Sequence, residues 1–105
     1  MTLAPDVEKK LVDRFRYAAV AEAGRLLDEN VASAKDIDLA MRAGAGFAMG
    51  PLELADTIGL DTVLDELAAL QAQHGDNYAP SATLRKLVAA GSLGKKSGRG
   101  FLEYK

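Results

Sequence analysis

Residues that begin and end helices divide this chain into five segments. Each expected end carries a residue that tolerates the left-handed conformation: Asn30, the Gly44–Gly46 stretch, Gly59, Gly75 and Gly91. Each expected start carries proline or a side chain that accepts hydrogen bonds from a first helical turn: Pro5, Ser33, Pro51, Asp61 and Ser81. Because apolar residues recur at helical spacing between these points, we predict an all-α fold, a compact bundle of about five helices with no strand of consequence.

The first segment has the longest apolar periodicity, so its apolar face should lie against the core. This face consists of Leu11, Val12, Phe15, Ala19, Ala23, Leu26 and Leu27. Arg16 and Glu22 lie at its edges. Either both extend to solvent or pair with a neighbour, or Glu22 is buried with a hydrogen-bond partner.

The composition of the 105-residue chain excludes several classes of function. The length predicts a single domain over residues 1–105. A net charge of −2 gives no basic surface for nucleic acid, and no apolar run approaches the roughly 20 residues of a membrane helix. Because the chain has no cysteine and His74 is its single histidine, no metal site is expected. We expect a cytoplasmic protein that contacts neither nucleic acid nor membrane.

The glycine-rich junction between the second and third helices is the first candidate site. Gly44-Ala45-Gly46 begins like a dinucleotide-binding G-x-G-x-x-G, but Gly50 comes one position too late and the stretch follows a helical pattern instead of a strand. The chain should therefore contain no Rossmann domain and bind no cofactor by itself. Phe47 and Met49 either plug the core or present an apolar surface to a ligand or partner.

The tail carries the second candidate site, which is a basic and glycine-rich turn. Lys95, Lys96 and Arg99 either cradle a phosphate or lie in a solvated loop. The glycines of this turn do not have the spacing of a P-loop. After the turn, Phe101 and Tyr104 should pin the tail onto the core. Taken alone, these residues predict a compact helical domain without a self-sufficient active site.

Three stretches of the sequence resemble one family closely. They are ASAKDID from Ala32 to Asp38, GAGFAMGPLELAD from Gly44 to Asp56, and GKKSGRGF from Gly94 to Phe101. In order and over nearly the whole chain, they resemble the C-terminal domain of 3-hydroxyacyl-CoA dehydrogenases. The resemblance implies a helical fold like that of the 6-phosphogluconate dehydrogenase C-terminal domain.

The resemblance also implies the other half of an enzyme. In that family, which acts in fatty-acid β-oxidation or 3-hydroxybutyryl-CoA metabolism, an N-terminal Rossmann domain binds NAD and supplies a catalytic His–Glu pair. The helical domain forms most of the dimer interface and closes over the acyl part of the CoA thioester. The present chain resembles only this second part, so the isolated chain should be inactive and hold no catalytic residue. Its expected partners are a second copy, an acyl-CoA, and a Rossmann domain in the same or another chain.

The resemblance implies substrate contacts at Asp13, Phe47, Met49, Gly50 and Pro51. Two positions depart from the family pattern. Family members typically read Val-Asn-Arg, with the Asn reaching the active site, where this chain reads Val12-Asp13-Arg14. A carboxylate cannot donate the hydrogen bond that an amide donates. Family members usually have proline where this chain has Ala48, so the loop here has one fixed φ fewer.

The two departures favour an alternative, a non-enzymatic dimeric scaffold that kept the fold and lost the substrate role. A third possibility is an independent acyl-CoA-binding protein. In that case Lys95, Lys96 and Arg99 would bind the phosphates of CoA.

Overall fold

The computed structural model describes residues 3–104 as a bundle of five α-helices with two short 3₁₀ turns. The helices are α1 (Pro5–Asp28), α2 (Ala34–Gly44), α3 (Pro51–Ile58), α4 (Leu60–His74) and α5 (Ala82–Ala89). The 3₁₀ turns are Asp76–Tyr78, between α4 and α5, and Lys95–Ser97, in the tail. Between residues 3 and 104 the only β-type pairing is two isolated bridges in the tail, so the all-α prediction is confirmed.

The core forms where the C-terminal half of α1 packs against α3, α4 and α5. Its fully buried side chains include Val20, Ala21, Leu52, Ala55, Leu60, Val63, Leu67 and Leu84. None of these helices is long and apolar enough to cross a membrane, within the part of the chain that is described.

The prediction that the whole apolar face of α1 lies in the core is wrong for its N-terminal half. Phe15 is 77% exposed, and Leu11 and Val12 are also exposed. The reason is length. The 24 residues of α1 extend over about 36 Å, whereas the eight residues of α3 and of α5 each cover about 12 Å. The helix therefore extends past its partners and leaves an apolar surface uncovered.

The two polar residues at the edge of the apolar face of α1 extend to solvent or pair with a neighbour, and Glu22 is not buried. Glu22 is exposed and accepts a hydrogen bond from Arg25 Nε at 2.8 Å, one turn along the helix. Arg16 is exposed as well.

Most of the predicted helix boundaries are confirmed, but the predicted start of α4 is wrong. The Ser33 and Ser81 hydroxyls accept from the Asp36 and Leu84 backbone N–H groups at 3.1 and 3.0 Å. Asp61 does not cap α4. The helix begins one residue earlier, at Leu60, because the Leu60 N–H donates to the Leu93 carbonyl at 3.0 Å. Asp61 then falls within the first turn and accepts instead from Lys96 Nζ at 2.7 Å.

The tail is fixed to the core by one buried carboxylate. Asp56, on α3, is 1% exposed and accepts hydrogen bonds from the Phe101 and Leu102 N–H groups at 2.9 and 3.0 Å. The Tyr104 hydroxyl donates to the same carboxylate at 2.7 Å. Burial, together with this carboxylate, raises the pKa of the Tyr104 phenol, which keeps the phenol a donor. Phe101 also packs against the buried residues of the core, so both predicted residues hold the tail in place.

The start of α5 is held by Asp28, at the end of α1. Its carboxylate accepts from the Ala82 and Thr83 N–H groups, both at 2.9 Å, and from the Thr83 hydroxyl at 2.6 Å. Partial burial by itself would raise the pKa of Asp28. The hydrogen bonds from Thr83 and Ala82, with the nearby Lys86 charge, outweigh it and lower the pKa below 3.8.

We expect Asp28→Ala to lower the free energy of unfolding by about 1 kcal/mol at pH 7, because two helical N–H groups lose their acceptor. Since the folded-state pKa is lowered, this contribution is present above the unfolded-state value of 3.8 and is lost as pH falls through the folded-state pKa. Urea unfolding of wild type and variant at pH 7 and pH 3 tests this. The gap should shrink at pH 3, whereas exposed Asp65→Ala should leave stability nearly unchanged at pH 7. A gap that is equal at both pH values would contradict the assignment.

Candidate functional site

An apolar groove runs between α1 and the segment that joins α2 to α3. Its narrow part has a volume of about 270 Å³ and is lined by Arg16, Ala19, Phe47, Ala48, Met49, Pro51 and Leu54. The groove continues along α1 into a wider, open region of about 640 Å³, where Leu11, Val12 and Phe15 are exposed. The open region and the narrow part share Phe47, which is 37% exposed. Phe47 therefore presents an apolar surface instead of plugging the core.

The wall of this groove is held by Asp38, a carboxylate on α2. It accepts from the Leu52 and Glu53 N–H groups, both at 2.8 Å, which are the free donors of the first turn of α3. Pro51 precedes them at the first helical position and has no N–H to satisfy. Gly50 packs directly against the Asp38 side chain, where a Cβ would lie 2.3 Å from Asp38 Cγ. The close approach of Gly50 lets one side chain fix the entry of α3 and therefore the position of Met49 and Pro51.

Asp38 is a buried capping residue, and opposing influences act on the pKa of its carboxyl. The residue is 6% exposed, and burial raises the pKa of its carboxyl. The two backbone hydrogen bonds oppose this rise, while the negative charges of Glu53 and Asp56 add to it. The sequence pattern did not single out Asp38, so its role as a cap was missed. The available signal was its position next to Ile37 on the inner face of α2, where an acid needs donors.

The structure brings together four of the five residues implied as substrate contacts. Phe47, Met49 and Pro51 line the groove, and Gly50 lies behind its wall against Asp38. Asp13 is not among the lining residues. Its carboxylate pairs with Lys9, one turn earlier on α1.

The basic turn of the tail is partly neutralised by acids. Lys95 Nζ lies 3.4 Å from a Glu53 carboxylate oxygen and 5.6 Å from the centre of the Tyr104 ring, and Lys96 pairs with Asp61. Arg99 is exposed, and its carbonyl accepts from Gly94 N–H at 2.8 Å. A phosphate bound here would have to compete with two carboxylates. Residues 3–104 also contain no group of three His, Cys, Asp or Glu side chains placed to hold a metal ion.

Comparison with known proteins identifies the family to which this helical, groove-bearing fold belongs. Residues 11–104 match the family model described as the C-terminal domain of 3-hydroxyacyl-CoA dehydrogenase. The chain therefore belongs to the 3-hydroxyacyl-CoA dehydrogenase family, as a C-terminal domain of that family. The resemblance predicted from the sequence is confirmed.

The chain spans only about a third of the length of its relatives. A probable 3-hydroxybutyryl-CoA dehydrogenase of Deinococcus radiodurans is 50% identical over 93 residues, which cover 88% of this chain and 34% of the relative. The mitochondrial hydroxyacyl-coenzyme A dehydrogenase of Homo sapiens is 43% identical over 97 residues, or 90% of this chain and 31% of the relative. The crystal structure of an (S)-3-hydroxybutyryl-CoA dehydrogenase from Ralstonia eutropha superposes with a TM-score of 0.82 at 41% identity, covering 89% of this chain and 33% of that one.

Proposed function

We propose that this chain is the helical domain of an NAD-dependent 3-hydroxyacyl-CoA dehydrogenase, folded as one unit over its length. In this role it encloses the acyl part of a CoA thioester, contributes a dimer surface, and works with a Rossmann domain supplied in the same or another chain. The observation that carries the proposal is the apolar groove beside Phe47, Met49 and Pro51, which is open along one side. An open apolar groove suits an alkyl chain that a second domain covers.

The described residues do not fit the cofactor of such an enzyme. A dinucleotide site needs a strand, a glycine turn and a helix, and residues 3–104 provide no such unit. The Gly44–Gly46 stretch instead follows the end of a helix. We therefore assign NAD binding and the hydride step to the Rossmann domain. The residues of this chain bind and position the acyl group and exclude water from it.

An amide NMR titration of the 105-residue chain with acetoacetyl-CoA tests the enclosing role. We expect shifts concentrated at the amides of residues 47–50 and on the facing surface of α1, which coenzyme A alone should not reproduce. Phe47→Ala should weaken binding several-fold, because it removes apolar surface from the centre of the groove. Leu39→Ala removes an exposed apolar side chain outside the groove and should leave binding unchanged. A silent spectrum up to millimolar ligand would contradict the enclosing role.

A non-enzymatic dimeric scaffold is the second candidate. It is favoured by the uncovered apolar surface on the N-terminal half of α1, centred on Phe15, and by the absence of Asp13 from the groove lining. Such a surface is most simply covered by a second copy. Light scattering at tens of micromolar should show a dimer mass, and Phe15→Glu should reduce it to a monomer. A monomer mass for wild type would contradict the homodimer, while a dimer with a silent titration would favour the scaffold.

A further inference from the structure

Arg16 occupies a distinctive place in the groove. It lines both the narrow part and the open region, and no carboxylate lines either of them. None of the ion pairs or side-chain hydrogen bonds formed among residues 3–104 includes its guanidinium. The groove therefore combines an apolar lining with one positive charge.

The other two arginines of α1, in contrast, each have a partner among the described residues. Arg14 donates to the Tyr78 hydroxyl at 3.4 Å, and Arg25 pairs with Glu22 and donates to the Asn77 carbonyl. Arg16 instead lies beside Ala19 and Phe47, which offer no acceptor side chain. Because a covered guanidinium without a partner loses hydration, closure of the groove over Arg16 favours a ligand that brings its own anion.

We propose that the groove selects a thioester whose acyl chain carries a carboxylate at its far end, and that Arg16 binds this carboxylate. The inference rests on the proposed acyl-CoA-enclosing function and deepens it by naming the substrate class. The planar guanidinium fork matches the two oxygens of a carboxylate. The apolar walls, formed by Phe47, Met49 and Leu54, suit the methylene groups between thioester and carboxylate.

A phosphate of coenzyme A is the alternative anionic partner for Arg16, but the groove suits a phosphate less well than a carboxylate. Phosphates of CoA are highly charged and keep their water, whereas the lining of the groove apart from Arg16 is apolar. Under the proposed function, the groove binds the acyl chain. Arg16, as the charge in this lining, would therefore contact the acyl chain and not the phosphates.

Calorimetric titration of the 105-residue chain with adipyl-CoA, hexanoyl-CoA and coenzyme A tests the inference. The two thioesters have six-carbon acyl chains and differ only in the terminal carboxylate. We expect adipyl-CoA to bind about tenfold more tightly, which corresponds to about 1.4 kcal/mol. Arg16→Leu should remove this preference without weakening hexanoyl-CoA, and Arg16→Lys should retain part of it. Arg85→Leu, a change at an exposed arginine of α5 outside the groove, should keep the full preference.

Three outcomes would overturn the inference, and they can be told apart. Equal binding of the two thioesters by wild type removes the carboxylate selectivity but leaves the acyl-enclosing function standing. If Arg16→Leu binds free coenzyme A more weakly than wild type does, Arg16 contacts a phosphate and not an acyl carboxylate. Failure of both thioesters to bind contradicts the proposed function as well. Because Arg16 is exposed, the leucine variant should fold, and an unchanged unfolding midpoint checks this.

Discussion

Replacing Asp56 with alanine is expected to lower the free energy of unfolding by about 3–5 kcal/mol, because three donors lose one buried acceptor. The Phe101 and Leu102 N–H groups and the Tyr104 hydroxyl all come from the tail, so the loss acts on one segment. The tail also has little room to repack. A Cβ at Gly100 would lie 2.2 Å from the Asp56 carboxylate, and one at Gly94 2.3 Å from the Asp56 carbonyl oxygen.

Urea unfolding and amide hydrogen exchange together check this expectation. In Asp56→Ala, the Phe101 and Leu102 amides should exchange much faster, since they no longer donate to a buried acceptor. Asp65→Ala removes an exposed carboxylate of α4 and should change stability by less than about 0.5 kcal/mol. A loss below about 1 kcal/mol in Asp56→Ala would show that the carboxylate does not anchor the tail.

Replacing Gly50 with alanine is expected to cost about 2–3 kcal/mol through overpacking. The new Cβ would lie 2.3 Å from Asp38 Cγ and 2.6 Å from its Oδ1. Either Asp38 moves and gives up its bonds to Leu52 and Glu53, or the start of α3 shifts. Both routes displace the wall of the groove, so acetoacetyl-CoA binding should weaken in the same variant.

Gly44→Ala is the matched control for this change. It lies at the end of α2, where a Cβ would meet no atom within 4 Å. Alanine there should be neutral or stabilise the helix by up to about 1 kcal/mol. Equal unfolding midpoints for Gly50→Ala and wild type would contradict the close packing of Gly50 on Asp38.

The helix boundaries could be predicted from the sequence because their signals are local. The Ser33 and Ser81 caps act on N–H groups three residues away, and Asn30 takes the left-handed conformation with φ 57° at the end of α1. The predicted start at Asp61 was wrong because a distant segment decided it. The Leu93 carbonyl supplies the acceptor for Leu60 N–H, so α4 begins earlier.

The buried carboxylates could not be placed from sequence spacing. The buried Asp38 and Asp56 accept from N–H groups 14 and 45 residues away, and the exposed Asp28 accepts from one 54 residues away. No local pattern encodes such a partner. The same limit applies to α1. Its periodicity identified the apolar face correctly but could not show that the half around Phe15 has no covering helix.

The candidate site was predicted in part. Phe47 and Met49 were singled out by the junction and by the family resemblance, and both line the groove. Asp13 was implied by the resemblance alone. Each helical residue turns by about 100°, so Asp13 points away from Val12, which lines the open region. Arg16 appeared only as a polar residue at the edge of an apolar face, since its place in the groove depends on the Phe47 segment packing across from it.

The division of labour between the two domains is tested most directly by the reduction of acetoacetyl-CoA with NADH, measured for two proteins. One is the 105-residue chain alone, and the other is a fusion in which this chain replaces the matching C-terminal region of the Deinococcus radiodurans relative. We expect no turnover by the chain alone and clear turnover by the fusion, in which we propose that the relative's N-terminal part supplies the nucleotide site. Robust turnover by the chain alone would contradict the proposed division of labour. A folded but inactive fusion, beside an active intact relative, would contradict the acyl-enclosing role.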